Sequence, residues 1–130
     1  MAFNDPIAEL LTKIRNAKDA QHRYVDLSHS KIKIKILELL KSHGFIENYL
    51  INEEKHKVRV FLKYTKSRES VINGLNRVST CGLRRYIGYS EIPRVFNGMG
   101  IAIVSTPQGV VDGETARKLK VGGELICTVW

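Results

Sequence analysis

Two segments near the start of the chain place their apolar residues at the spacing of an amphipathic helix. Asp5-Pro6 supplies an N-cap and a proline at the first helical position, and the apolar face that follows consists of Ile7, Leu10, Leu11 and Ile14. The second segment, residues 31–40, begins with alternating Lys and Ile, which is typical of a strand, but its continuation fits a helix face made of Ile32, Ile36, Leu39 and Leu40. Because Ser28 or Ser30 can cap this segment and Gly44 can end it, we predict a helix there.

Alternating apolar and polar positions predict three extended segments in the rest of the first half. These are residues 24–27, 45–51 and 58–63. A polar turn over residues 52–55 joins the last two, and the polar stretch 65–70 then breaks the pattern. We therefore predict a first domain over residues 1–66 with the element order α-β-α-β-β.

The second half shows shorter apolar runs separated by turn residues. The predicted strands are residues 71–78, 82–87, 101–104 and 124–130. A short helix over residues 112–119 has Asp112 as its cap, and Gly122-Gly123 leads from it into the last strand. The chain is accordingly predicted to be α+β, with two small packed domains, the second of which covers residues 67–130 and is mostly β with one short helix.

The net charge of the chain indicates more about its partners than its length does. Of 130 residues, 21 are Lys or Arg and 13 are Asp or Glu, which gives a net charge of +8. Such an excess favours a polyanionic partner, above all nucleic acid, although it also serves solubility. A hydrophobic content of 43% excludes a disordered chain, and no apolar run is long enough to span a membrane. Since we find no targeting segment in the sequence, we expect a cytoplasmic protein without a membrane partner.

The sequence lacks the residue patterns of an enzyme or of a cofactor site. The four histidines, which are His22, His29, His43 and His56, show no metal-ligand spacing. Cys81 and Cys127 are interpreted as reduced, packed thiols, and Gly98-x-Gly100 lacks the third glycine of a dinucleotide loop. We therefore predict no enzymatic activity, no cofactor, no metal and no small-molecule substrate.

One polar segment stands out, from Ser105 to Gly109 directly after the strand over residues 101–104. The hydroxyls of Ser105 and Thr106 can donate to and accept from phosphates, ribose and base edges. Gly109 allows a close approach of backbone to a partner. An ordinary loop has the same composition, so this segment alone leaves both interpretations open.

The motifs around that segment resemble one protein family, the eighth protein of the small ribosomal subunit of bacteria. The central motif reads Gly100-x-x-Ile103-Val104-Ser105-Thr106-x-x-Gly109-Val110-Val111, followed by Ala116-Arg117. Similar motifs occur from one end of the chain to the other: Asp5-Pro6-Ile7-Ala8, Leu11-Thr12-x-Ile14-Arg15-Asn16-Ala17, Ser30-Lys31, Gly44-Phe45-Ile46, Leu62-Lys63-Tyr64, Arg77-Val78-Ser79, Gly82-Leu83-Arg84-x-Tyr86 and Gly122-Gly123-Glu124-Leu125-Ile126-Cys127. The resemblance covers essentially the whole chain.

The resemblance implies a structural constituent of the small ribosomal subunit. It implies two packed α/β domains, binding to the central domain of 16S rRNA during assembly, and neighbouring small-subunit proteins as further partners. The principal RNA site would comprise Ser105, Thr106, Gly109, Tyr86 and Glu124, with Arg84 and Arg85 close to phosphates. A second contact in the N-terminal half would comprise Thr12, Arg15, Asn16 and Lys31.

Some interpretations stay open at this level. Tyr86 could stack on a base or belong to the core, and Glu124 could accept from a base amino group or have no role. Many members of the family have a third hydroxyl at the position of Pro107 and an aromatic residue at that of Thr128. A free-standing regulator that binds mRNA or DNA is the main alternative, and a small enzyme that uses Cys81 or Cys127 is the other.

Overall fold

The computed structural model describes residues 5–130, apart from the side chain of residue 97, and forms two compact units, of which the first ends at Asn73 and the second is Gly74–Trp130. The predicted boundary, after residue 66, lies earlier than this division. Residues beyond 66 stay attached to the first unit, because Tyr64 bridges to Ser70 and the Val71 N–H donates to the Lys63 carbonyl over 3.0 Å. The first four residues of the predicted domain 1–66 lie outside the described part of the chain.

The first unit contains two helices and a three-stranded antiparallel sheet, in the predicted order. Its elements are α1 (Pro6–Asp19), β1 (Tyr24–Ser28), α2 (Lys31–Ser42), β2 (Ile46–Asn52) and β3 (Lys57–Leu62). The strand order is β1-β3-β2, so the central strand of this sheet is the one that comes last of the three in the sequence. The predicted α+β class is confirmed.

Local capping sets where the two helices begin. The Asp5 side chain accepts hydrogen bonds from the Ile7 and Ala8 N–H groups over 3.0 and 3.3 Å. Ser30 does the same for the Lys33 N–H over 3.2 Å. These bonds satisfy N–H groups that have no partner inside a helix, which explains why the start of each helix was predictable.

The buried face of α2 differs from the predicted one. The inward residues are Lys33, Ile36, Leu37 and Leu40, whereas Ile32 and Leu39 are only half-buried. The stripe is rotated because a lysine occupies an interior position, and Lys33 is only 1% exposed. A pattern that assigns charged residues to the solvent cannot find this arrangement.

Lys33 is buried beside Glu9, and both contact Ser28, which is exposed at the end of β1; we call these three residues the Glu9–Ser28–Lys33 cluster. The Lys33 ammonium lies 3.0 Å from Glu9 Oε2, and it donates to Ser28 Oγ over 2.7 Å and to the Ser28 carbonyl over 3.0 Å. Burial opposes the ionisation of Glu9. The hydrogen bond and positive charge of Lys33, together with the hydrogen bonds of Ser28, outweigh this effect, so the pKa of the Glu9 carboxyl is lowered. The ion pair therefore joins α1 to α2, and the hydrogen bonds of Ser28 connect both helices to β1.

The second unit is a five-stranded antiparallel sheet with one helix. Its elements are β4 (Leu75–Arg77), β5 (Tyr86–Ile87), β6 (Ile101–Thr106), β7 (Gly109–Asp112), α3 (Gly113–Leu119) and β8 (Gly123–Val129), with 3-10 turns at Tyr89–Glu91 and Val95–Gly98. The strand order is β4-β8-β6-β7, and β5 also pairs with β8. The side chains buried between this sheet and α3 include Ile92, Ala102, Val104, Ala116 and Leu125.

Three strand predictions between residues 71 and 104 were inaccurate, and one strand was missed. The segments 71–78 and 82–87 contain only the short strands β4 and β5, since Thr80 and Leu83 close a turn through reciprocal backbone hydrogen bonds of 3.0 and 3.2 Å. The strand predicted over 101–104 extends through Thr106. Strand β7 was missed altogether, because its four residues follow the polar segment directly and pair with β6 only in the folded sheet.

Candidate nucleic-acid interface

The polar segment Ser105 to Gly109 is a tight β-hairpin that joins β6 to β7. Thr106 pairs with Gly109, and only Pro107 and Gln108 lie between the strands. The Thr106 hydroxyl accepts from the Gln108 N–H over 3.1 Å and donates to the Gly109 carbonyl over 2.8 Å. Gly109 has a φ of +115°, which favours glycine. The turn is thus held by the Thr106 side chain, and it does not need the N–H that Pro107 lacks.

The two hydroxyls of this hairpin differ in what they do. That of Thr106 closes the turn, whereas within residues 5–130 the Ser105 hydroxyl makes no hydrogen bond. From the sequence, the two hydroxyls were predicted to be equivalent contacts for a partner. The structure assigns the shape of the turn to Thr106 and leaves the Ser105 hydroxyl available.

Strand register brings two more predicted site residues next to Ser105. On β8, Glu124 is the cross-strand partner of Ser105 on one side and of Tyr86 on the other. Directly paired residues project from the same face of a sheet, so the three side chains form a row. With Thr106 and Pro107 they line an open depression of about 650 Å³. Tyr86 is 71% exposed, which rules out its interpretation as a core residue.

The Glu124 carboxylate is held by two donors, both on Oε2. Ser79, which is fully buried, donates from its hydroxyl, and Arg84 donates from Nη1 over 2.8 Å. Burial opposes ionisation of Glu124, yet the hydrogen bonds of Ser79 and Arg84, with the positive charges of Arg84 and Arg77, outweigh it and lower the pKa of the carboxyl. Glu124 is therefore an ionised acceptor in a defined orientation. Ser79 was not predicted as a site residue, and only its place in the motif Arg77-Val78-Ser79 gave a signal.

The two arginines before β5 have different surroundings. Arg84 is paired with Glu124, so part of its charge is already neutralised inside the protein. Arg85 is exposed, while its backbone N–H donates to Ser79 Oγ over 3.3 Å and its carbonyl accepts from Leu125 over 2.8 Å. Of the two, Arg85 has the side chain better suited to a phosphate.

The N-terminal candidates all belong to the first unit. Thr12, Arg15 and Asn16 lie at helical spacing on α1, the first two half-buried and the third exposed. Lys31 is the exposed first residue of α2. Their roles stay predictions.

The paired strands at the site leave no room for a side chain at Gly123. A Cβ there would meet the Ser105 carbonyl oxygen and, at 2.9 Å, its carbonyl carbon, so the β6 backbone would have to move. We expect Gly123→Ala to lower the free energy of unfolding by about 1–3 kcal/mol in urea denaturation. Gly82→Ala is the matched control, because a Cβ at Gly82 has no atom within 4 Å. Equal stability of the two variants would contradict this expectation.

Other chemistry is poorly supported in the described part of the chain. Over residues 5–130 we find no group of three or more His, Cys, Asp or Glu side chains placed to hold a metal ion. No helix in the same range is long and apolar enough to cross a membrane. Burial raises the pKa of the Cys127 thiol to about 12, so this thiol is protonated at neutral pH and is a poor nucleophile.

These observations define a basic α+β protein whose second unit displays a hydroxyl, an ionised carboxylate and an aromatic ring in one row. The model of the family described as Ribosomal protein S8 matches residues 5–130, and the chain belongs to this family. It is 50% identical to the small ribosomal subunit protein uS8 of Protochlamydia amoebophila over the full length of both chains. It is 54% identical to the protein of that name in Chlamydia abortus, covering 98% of this chain and 97% of the relative, and 49% identical to that of Anaeromyxobacter sp. strain K over the full length of both.

Proposed function

We propose that this protein is a structural constituent of the small ribosomal subunit that binds the central domain of 16S rRNA and helps that domain to assemble. The observation that carries the proposal is the row of Ser105, Glu124 and Tyr86 beside a rigid hairpin in a chain of net charge +8. Family membership supports it, as do the relatives named as small ribosomal subunit proteins. The proposed role is structural rather than catalytic, in the cytoplasm, next to other small-subunit proteins.

Each member of the row offers a different contact to RNA. The Ser105 hydroxyl can donate to or accept from ribose and base edges. The exposed ring of Tyr86 can stack on an unpaired base, which is worth about 1–3 kcal/mol per base. Thr106 and Gly109 keep the hairpin in a fixed shape, so that these contacts are presented without further ordering.

Glu124 contributes to specificity rather than to general attraction. An ionised carboxylate repels phosphate, and it accepts hydrogen bonds from base amino groups. Arg84 offsets its charge, and the exposed Arg85 supplies a cation for the backbone. We therefore propose that this surface reads exposed base edges and that the surrounding basic residues hold the RNA in place.

A second contact is proposed for the first unit. Thr12, Arg15 and Asn16 present polar groups from one helix, and Lys31 adds a positive charge at the start of the other. Contacts of this kind go mostly to phosphates, so they fix register and add affinity without reading sequence.

The proposal is tested by hydroxyl-radical footprinting of 16S rRNA with the purified protein. We expect protection confined to one helical region of the central domain, and its persistence when random duplex RNA is added in excess. Sedimentation of cell extracts should also place the protein with small ribosomal subunits. Protection scattered evenly over the RNA, or a protein found only in ribosome-free fractions, would argue against an rRNA-binding constituent and for a regulator of other nucleic acids.

A further inference from the structure

Ser79 is a fully buried serine directly behind the proposed RNA-binding row. Its hydroxyl donates to Glu124 Oε2 and accepts from the Arg85 N–H over 3.3 Å, while its own N–H donates to the Ile126 carbonyl over 3.3 Å. A side chain with no exposed surface cannot touch RNA. Any effect of Ser79 on binding must therefore be indirect, through the Glu124 carboxylate or through the Arg85 backbone.

The two donors to Glu124 approach the same oxygen atom. Ser79 reaches Oε2 from inside the unit, and Arg84 reaches it from the surface, where that side chain is 47% exposed. Among residues 5–130, no group donates a hydrogen bond to Oε1. The carboxylate is thus anchored by one oxygen, and the other remains as the acceptor for a partner.

We propose that Ser79 is a positioning residue of the RNA-binding surface, whose buried hydroxyl fixes the Glu124 carboxylate in the orientation that accepts a hydrogen bond from RNA. This inference rests on the proposed function and adds to it a residue that cannot contact the RNA. Arg84 alone does not give the same control, because its side chain is 47% exposed and its guanidinium is itself attracted to phosphate.

The ionisation of Glu124 depends on the same contact. Ser79 and Arg84 before β5 and Arg77 on β4 act on the carboxylate. Its cross-strand neighbours are Tyr86 on β5 and Ser105 on β6. Burial opposes the charged form, and the Ser79 hydrogen bond is foremost among the interactions that favour it. Removing that bond should raise the pKa of Glu124, because the hydrogen bond stabilises the ionised carboxylate more than the protonated one.

The test is a double-mutant cycle on binding to a fragment of the 16S rRNA central domain at pH 7. We expect Ser79→Ala and Glu124→Gln each to weaken binding about tenfold, as the loss of a hydrogen bond to a charged group predicts. If Ser79 acts through Glu124, the double variant should bind no more weakly than Glu124→Gln alone. If Ser79→Ala reduced the RNA affinity by the same factor in the Glu124→Gln variant as in the wild type, the proposal would be overturned. A wild-type protein that does not bind the fragment would overturn the proposed function instead.

Two further measurements separate positioning from a loss of structure. Carbon-13 NMR titration of the Glu124 carboxyl in the free protein should give a higher pKa in Ser79→Ala than in the wild type, and an unchanged pKa would overturn the proposal. Ser90→Ala is the matched control, since Ser90 is an exposed serine of the same unit. If Ser79→Ala does not fold, Ser79→Cys replaces the hydroxyl by a weaker donor of similar shape, and wild-type affinity in that variant would also overturn the proposal.

Discussion

Replacing Glu9 by alanine is expected to lower the free energy of unfolding by about 3–5 kcal/mol, because it leaves the buried Lys33 ammonium without a counter-charge. The lysine would keep only the uncharged oxygens of Ser28 as partners. Urea denaturation followed by circular dichroism measures this loss. Glu38→Ala is the matched control, since Glu38 is an exposed glutamate on α2.

The double variant Glu9→Ala/Lys33→Met distinguishes an unpaired charge from lost packing. A methionine fills a similar volume without a charge, so we expect it to restore most of the lost stability. The effect should also depend on pH. Glu9 has a lowered pKa in the folded protein, so its contribution is present above the pKa of an unfolded glutamate and is lost as the pH falls through the folded value. A Glu9→Ala variant as stable as Glu38→Ala, or no recovery in the double variant, would show that the cluster does not hold the helices to β1.

The double variant Ser105→Ala/Thr106→Ala is expected to weaken binding to the 16S rRNA fragment by about 1–3 kcal/mol, which is about five- to 150-fold. Binding to random duplex RNA should change much less, because general attraction comes from the basic residues. Competition binding with the two RNAs at one salt concentration measures the difference. Ser90→Ala serves again as the exposed control. Equal loss on both RNAs would contradict a specific role for the hairpin.

The single variants should separate the two hydroxyls. Ser105→Ala removes a hydroxyl with no partner among residues 5–130, so it should weaken RNA binding and leave thermal stability unchanged. Thr106→Ala removes both side-chain hydrogen bonds of the turn, so it should lower stability as well. If both variants reduced stability equally, the division of roles between them would be wrong.

Much of the fold was predictable because its signals are local. Asp5-Pro6 and Ser30 mark helix starts through hydrogen bonds that span two or three residues, and the alternation in β3 shows directly in its sequence. The short strands of the second unit were not predictable in this way. Strand β5 has two residues and β7 has four, so each exists only through the partner that it meets in the folded sheet.

The candidate site likewise has a part that local sequence predicts and a part that only strand pairing creates. Its hairpin residues are contiguous, so Ser105 to Gly109 could be found from their types and their place after an apolar run. The row formed with Glu124 and Tyr86 depends on the pairing of three strands that are far apart in the chain. Ser79 gave no signal of its own, because its importance lies in a hydrogen bond across forty-five positions.

Neighbouring residues and contiguous motifs were enough to predict the α+β class, both capped helices, the polar hairpin segment and the resemblance to a family. Three features became visible only in the folded protein: Lys33 lies inside with Glu9, Thr106 closes a turn while the Ser105 hydroxyl remains available, and Ser79 and Arg84 hold Glu124. The physical reason is that a buried charge or a directed hydroxyl is defined by its partner, and the partner is chosen by strand register and packing rather than by sequence distance.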